Sequence, residues 1–547
     1  MILILAYWLF LFFLILPFGV VLQKGIKLKT TRACITVLLG LLFLTVSFTI
    51  TALFVPLGAN SFLCYIFLSV LLYFFYRKEL NEILSTFYKD LQSLTLFHKS
   101  IIILLLLGAA LKSAQLPFVI DNESYYIQTI KWINQYGLVK GLGNLHIYLA
   151  QTSPWHILHA GLNLNFLGIT FNDLNGFLFI ICMLYCITES KNKDGWFSLL
   201  PVFSTVYFLF LDAPSPDLPV LIIIPVILYL YTEKKSEDDF KVSLLLLAFI
   251  AFIKVTIAPL ALLFLFKLST QKKRFFFIKT AVVFAVIWMV KNTIVSGYPL
   301  YPFTNIAADN DWVVPQAITD SMGAIAHKDV YGVGTDAPFI QKIASWLQME
   351  GIKGILNKLI VILFLLLPNF RIIRRNKSYR AVYIVFLVHF VILLFTSPQY
   401  RFFLPEMIFF LLFIGNEIMS YVQSRVFNKI VMLGGALAAF VLFFNFSFIS
   451  ITPNKFHQSR SGFQLSQLYR PEPVTRYPEM KFIQKQMGNL EYYSPETNFF
   501  IFGTADGSLP CINEAQINYF ERKTGYIPQL RGESLEDGFI SEKTLRE

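Results

Sequence analysis

Residues 100–126 read SIIILLLLGAALKSAQLPFVIDNESYY. The first part carries the uninterrupted apolar run Ile101–Leu107 inside a stretch, 100–117, that is long enough to cross a bilayer. A hydrocarbon core of about 30 Å asks for roughly 17–25 mostly apolar residues per helix. The second part turns abruptly polar at Asp121, Asn122 and Glu123. The same alternation recurs along the chain, for example around Val361–Leu367. Of the 547 residues 56% are hydrophobic, 16% aromatic and only 15% charged, where a soluble domain carries about 25% charged residues. The reading is an all-α polytopic membrane protein. It excludes a cytosolic enzyme, a secreted disulfide scaffold and a nucleic-acid binder.

Further spans are expected at 4–22, 34–55, 61–76, 173–188, 196–212, 218–232, 276–296, 354–369, 381–396, 402–420 and 430–449. The stretch 243–268 is too long for one ordinary helix and is interrupted by Lys254 and Pro259. It reads as a hairpin of two short helices, which brings the total to about 14 membrane segments. Alternate loops then sort by charge. Lys24, Lys27, Lys29 and Arg32, Arg77 and Lys78, Lys234 and Lys235, Lys272 to Arg274, and the Arg371–Lys377 cluster fall on one side. By the positive-inside rule that side is cytoplasmic. The net charge of +12 is therefore mostly topology. An even span count puts both termini outside, and MILILAYWLF reads as a first transmembrane helix rather than a removed signal peptide. Only Cys511 of the five cysteines falls in an exported segment, so cysteine chemistry is not expected.

Three regions follow: N-terminal transmembrane helices (1–99), a membrane core with outer loops 118–172 and 297–353 (100–449), and an exported tail (450–547). In the first loop Tyr126, Ile130 and Ile133 recur at helical spacing beside Trp132, which suggests helices lying in the membrane interface. The tail is more polar, and its run Asn498–Gly503 reads as one buried strand of a small α/β cap.

Polar groups gather at the outer ends of the spans. Asp121 and Glu123 suit a general base or oxygen ligands for a hard cation, and equally a helix N-cap and first turn. Asp217 follows a Pro-rich turn and opens a span; Asp212, at the start of that turn, carries less weight. Lys254 sits in the hairpin, Lys291 and Asn292 close another helix, and Tyr400 and Arg401 lie in SPQYRFFLP. A charge at the centre of a membrane helix costs about 2.5–3.5 kcal/mol on insertion scales, so each such group needs a partner or a wet cavity. Snorkelling, an ion pair and phosphate binding are the readings open to Lys254; anchoring and substrate binding are those open to Arg401. His146, His156 and His159 crowd the first loop, with His156 and His159 three residues apart. Interfacial hydrogen bonding is their first reading, metal ligation the second, and His156 beside Trp155 can also meet a sugar or a phosphate.

Laid out in order, these motifs resemble the GT-C superfamily of membrane glycosyltransferases, and within it an uncharacterised bacterial branch of Bacteroidetes/Leptospira type. The resemblance rests on Asp121-Asn-Glu123-Ser-Tyr-Tyr, the Asp212–Asp217 turn, Lys254-Val-Thr, Lys291-Asn292 with Gly297-Tyr-Pro-Leu-Tyr-Pro302, and Tyr400-Arg401-Phe-Phe-Leu-Pro405. Leu509-Pro-Cys511, Leu530-Arg-Gly and Asp537-Gly-Phe539 in the tail look like that branch in particular. It covers most of residues 60–450 and implies a GT-C-like fold with an exported active site, in a bacterial inner (cytoplasmic) membrane and facing the periplasm. The implied partners are a polyprenyl-phosphate sugar donor, an envelope glycan, lipid or protein acceptor, and membrane lipids. Asp121 or Glu123 is then the base or a ligand to a divalent cation (Mg or Mn), the only cofactor the resemblance raises. Lys254, Lys291, Asn292, Tyr400, Arg401, His156 and Asp217 are the substrate- and phosphate-binding candidates. The first loop departs from the family by spacing its acids as Asp-x-Glu, and position 291 is Lys where relatives often carry Arg, so the choice of acid stays open.

Two other classes fit a many-span envelope protein. An O-antigen polymerase or ligase leans on Arg and His in a late outer loop, and 297–353 holds only His327 and no Arg. A polysaccharide or lipid transporter commonly shows matching interrupted helices in two halves, and here one hairpin is interrupted with no counterpart.

Overall fold

The structure, a computed structural model, describes residues 1–169, 174–191, 195–422, 425–444, 446–447, 459–460, 462–496 and 499–544. The chain is mostly helical. Among the described residues eight helices are long and apolar enough to cross a membrane, or nine if the bent pair Ala59–Phe75 and Arg77–Gln92 counts as one span. The eight are Ile2–Gly25, Ala33–Thr51, Leu96–Ser113, Gln271–Ser296, Gly351–Asn369, Lys377–Thr396, Tyr400–Ser420 and Val426–Phe443.

That is fewer than the 14 segments expected, and the shortfall has local causes. Leu174–Ser190, Asp217–Glu233 and Glu237–Ile253 are helices of 17 residues each, at the lower limit of spanning length, and are not among the eight. The expected span 196–212 breaks into a 3-10 turn, Trp196–Phe203, with Pro201 inside, followed by the short helix Ser204–Phe208. The hairpin at 243–268 breaks at Lys254 as expected, but its second arm is only a 3-10 turn, Val255–Ala261, and Leu262–Leu265. Pro259 supplies no backbone N–H there, so a full second helix is not sustained. The expected segments 173–188 and 430–449, and the loop ending at 172, each run partly outside the described residues, as do most of 450–461.

Helix Asp217–Glu233 is buried at every position but the last. A helix that is apolar all round belongs at the centre of a bundle, and its first turn delivers Asp217 to one end. The first two helices pack backbone to backbone. A Cβ on Gly19 would stand 1.9 Å from the Thr36 carbonyl oxygen, and one on Gly40 would stand 2.5 Å from that of Ile15. Small residues of this kind are what lets helices approach where lipid offers no hydrophobic drive. At the other end of the bundle Glu189 pairs with Arg32 (3.0 Å) and Lys234 (2.9 Å), and Lys191 pairs with Asp90 (3.1 Å). Three basic segments thus meet at one end, Arg32 and Lys234 among those the charge pattern grouped. In the bundle interior Lys112 pairs with Asp212, both side chains wholly buried.

The tail is a small region of two separate antiparallel hairpins, Phe482–Met487 with Leu490–Pro495 and Tyr526–Leu530 with Phe539–Lys543, around helix Glu514–Thr524. The expected strand at 498–503 is not one. Asn498 lies outside the described residues, and 499–503 form an irregular plug whose Phe502 ring meets Tyr148 with centroids 5.0 Å apart. The Phe502 carbonyl accepts from Ser124 Oγ (3.1 Å) and pairs with His146 Nε2 (3.2 Å). The first polar segment packs against the tail. Trp132, Leu142, Leu145 and Leu149 form one buried cluster with Leu490, Tyr492, Ile517 and Phe539 of the tail. Ile130 and Ile133, by contrast, pack toward the helical bundle.

Glu123 is the pin of this docking. It sits in a π-helical turn, Asn122–Tyr126. Its Oε1 accepts from Asn122 Nδ2 (2.9 Å) and from the Arg476 backbone N–H (3.0 Å), and Oε2 meets Thr475 Oγ1 at 2.5 Å. Its own carbonyl accepts from Thr504 and Ala505 N–H at 2.9 and 2.8 Å. Burial raises its carboxyl above the ordinary 4.5, against the pull of these donors.

Two outcomes follow from these pairs. Lys112→Met or Asp212→Leu alone leaves a charge buried and should cost about 3–5 kcal/mol, while the double change recovers most of it; thermal unfolding in detergent reads both, and a single variant as stable as the parent would refute the pairing. For Glu123 the folded pKa is raised, so the docked state binds protons more readily than the undocked state. Tail attachment should weaken as pH rises from 4.5 through the raised value. Limited proteolysis of the tail against pH should show this trend, and Glu123→Gln should flatten it; a tail that loosens on acidification instead would reverse the sign.

Candidate functional site

Four segments far apart in sequence bring charged side chains to one end of the bundle. Asp121 enters from the turn after Leu96–Ser113, Asp217 from the start of the central helix, Lys254 from the break in the hairpin, and Arg401 from the first turn of Tyr400–Val422. Arg401 Nη1 lies 2.9 Å from Asp121 Oδ2 and 3.8 Å from Asp217 Oδ2. Lys254 Nζ bonds Asp217 Oδ1 and sits 4.2 Å above the Phe402 ring. Gln399 Oε1 accepts from Arg401 Nε at 2.8 Å and fixes the plane of the guanidinium. The chain of contacts is carboxylate, guanidinium, carboxylate, ammonium. Two negative and two positive groups balance, as a cluster at the edge of an apolar bundle must.

Asp121 is the accessible member of the carboxylate pair, with a side chain 24% exposed against 5% for Asp217. Its Oδ2 is engaged by Arg401 and, at 3.5 Å, by the Tyr126 hydroxyl; Oδ1 has no hydrogen-bond partner among the described residues. Asp121 and Arg401 share the wall of a cavity of about 200 Å3 with Tyr400, Trp346, Asn357 and Lys353. Lys353 is paired across its rim with Asp329 at 3.1 Å.

The remaining candidates fall outside this chain of contacts. Glu123 is turned into the tail, with both carboxylate oxygens occupied by Asn122, Arg476 and Thr475. Asp121 and Glu123 therefore do not converge as a ligand pair, and among the described residues no three His, Cys, Asp or Glu side chains group to hold a metal ion. The donor set does not fit a cation held between these two acids. His156 is buried with its ring 4.6 Å from that of Tyr126, and its Nε2 contacts the Pro214 carbonyl oxygen at 3.1 Å. Burial pushes its pKa down to about 3, so it is a neutral donor and not a phosphate-binding cation. Lys291 is buried, with Nζ donating to the Thr152 carbonyl (2.8 Å) and to Asn292 Oδ1 (2.5 Å). Asn292 in turn donates to the Tyr301 carbonyl at 3.1 Å. The two cations flank one turn: Ser153, next to Thr152, donates to the carbonyl of Ile253, next to Lys254.

Sequence reasoning missed the aromatic wall and two buried pairs. Tyr125, Tyr126 and Tyr148 pack around Asp121 with centroids 4.8 Å (Tyr125–Tyr126) and 5.4 Å (Tyr125–Tyr148) apart. Nothing in their spacing announces that. The pairs Lys112–Asp212 and His389–Glu406 had a signal, since an ionisable residue inside an apolar run calls for a partner. His389 Nδ1 bonds Glu406 Oε1, and its Nε2 meets the Thr256 carbonyl at 2.8 Å, so the pair braces the turn that carries Lys254.

No curated protein and no solved structure matches the chain. One family model does, described as a domain of unknown function, DUF8201, over residues 1–408. The matched part contains Asp121, Asp217, Lys254 and Arg401 and stops short of the tail that Glu123 holds. With about three quarters of its length matched, the chain belongs to the DUF8201 family.

Proposed function

We propose that this protein is a GT-C-type membrane glycosyltransferase, transferring a sugar from a polyprenyl-phosphate donor to a cell-envelope acceptor at the outer face of a bacterial inner membrane. The observation that carries the reading is the contact chain Asp121–Arg401–Asp217–Lys254 at the mouth of a cavity, with one carboxylate oxygen of Asp121 left open. An acceptor hydroxyl attacking an anomeric carbon must shed a proton as the C–O bond forms, and Asp121 Oδ1 is the accessible base. A positioned base of this kind commonly supplies about 10²–10⁴-fold.

The other half of the reaction is departure of a phosphate. A phosphate is already a good leaving group, so fixed cations can take the place of a general acid. Arg401 and Lys254 are held in place by carboxylates rather than swinging free, and a preorganised cation costs little reorganisation when charge develops. Asp217 serves as the counter-charge that keeps both cations in position. Lys291, buried against a carbonyl and an amide and with no carboxylate partner among the described residues, is a second phosphate-binding candidate behind the Thr152–Ser153 turn. Single displacement, with inversion at the anomeric carbon, accords with Asp217 being occupied by two cations rather than open as a nucleophile.

Transfer from radiolabelled polyprenyl-phosphate sugars to extracted envelope acceptors tests this reading. Asp121→Asn should lower kcat about 10²–10⁴-fold in a protein that still folds. Glu123→Gln should act through tail docking and lose far less. Because the two acids do not converge on a cation, EDTA should leave the rate unchanged. Full activity in Asp121→Asn would remove the assigned base, and loss with EDTA restored by Mg or Mn would require a metal site the two acids do not form.

A further inference from the structure

A second cavity, about 390 Å3, lies on the other side of the first outer segment and is the larger of the two. One face of helix Ile127–Tyr136 forms its floor, with Ile127, Ile130, Lys131 and Asn134 recurring at helical spacing. Its size falls in the ordinary range for small-ligand pockets, about 300–1,000 Å3.

The chemistry of its wall is that of neutral hydrogen bonding. Asn134, Asn163 and Asn165 form a small amide network: Asn134 Oδ1 accepts from Asn163 Nδ2 at 2.7 Å and from Asn165 Nδ2 at 3.0 Å. Gln135 stands exposed at the mouth, and the Phe166 ring is 40% exposed beside it. The cavity's two charges cancel, because Lys131 and Asp506 pair at 2.6 Å. The wall also contains His159, which is 4% exposed and is hydrogen-bonded on its far side toward Asn175. Burial and the neighbouring His156 push its pKa down to about 3, so this ring is neutral.

We propose that this cavity binds an uncharged saccharide unit. Asn134 is fully engaged in holding the network, so Gln135 and the remaining amide positions of Asn163 and Asn165 offer donors and acceptors for hydroxyls, and Phe166 with the two isoleucines offers apolar surface for the C–H face of a sugar ring. A phosphate finds no unpaired cation here. An extended peptide finds no strand edge, since the wall is helix and loop. The wall also backs onto the reaction centre: Pro214 lines the cavity, its carbonyl contacts His156, and His156 packs on Tyr126 beside Asp121. Resting on the glycosyltransferase reading, the bound unit is a non-reacting part of the acceptor glycan, held one layer away from the base.

Saturation-transfer NMR on the protein in nanodiscs, with neutral di- and trisaccharides of glucose, galactose, N-acetylglucosamine and rhamnose as probes, tests the site. At least one probe should bind the parent protein. Gln135→Ala with Phe166→Ala should weaken it about tenfold or more. Gln135→Trp, which blocks the mouth from an exposed position, should do the same, and Asp121→Asn should leave binding unchanged. No binding by any probe, or equal binding in both mouth variants, would overturn the proposal. If saccharide binding responds as expected while Asp121→Asn keeps full transfer activity, the cavity stands and the assigned base falls.

Discussion

Two carboxylates and two cations cannot be brought to the edge of an apolar bundle one at a time. Each would cost more than its helix can bear alone, whereas together they form a neutral chain, Asp121–Arg401–Asp217–Lys254. That mutual requirement ties a loop, the central helix, a broken hairpin and a late helix to one point. The break at Lys254 lets a lysine leave a helix and face Asp217. The pair His389–Glu406 then holds the broken turn through the Thr256 carbonyl. The geometry of the candidate site is thus a consequence of charge pairing in a low-dielectric surrounding.

The tail completes the enclosure from outside. It packs against apolar side chains of the first polar segment, presents Phe502 to Tyr148, and is pinned through Glu123 only two residues from Asp121. Neighbouring acids therefore have separate duties: one faces a cavity and the other is consumed in docking. Any change that loosens the tail also reaches the aromatic wall around Asp121, which is a reason to read Glu123 variants through attachment before chemistry.

Much of this was legible in the sequence. Apolar runs marked most of the helices, the interruption at Lys254 marked the broken hairpin, and the scattered ionisable residues at span ends marked Asp121, Asp217, Lys254 and Arg401. What periodicity could not separate was Asp121 from Glu123, because both follow the same span and only the docked tail distinguishes them. The expected 14 segments and the eight long apolar helices differ partly because helices of 17 residues stand at the lower limit of spanning length. The run at 499–503 looked like a strand, yet its aromatic side chains find partners in the first loop and at Tyr477 rather than in a sheet. His159 was visible as a loop histidine, but its place in the wall of a cavity is a fact of tertiary structure alone.

On the proposed reading the charged cluster is the place where bonds are made. The most direct measurement reconstitutes the protein into sealed vesicles carrying a labelled polyprenyl-phosphate sugar, supplies extracted envelope acceptor, and follows both covalent product and passage of label across the membrane. A covalently labelled acceptor with the parent protein, and none with Asp121→Asn, is the predicted result. Label that crosses the bilayer without any covalent product would contradict it and make the charged cluster part of a transport path.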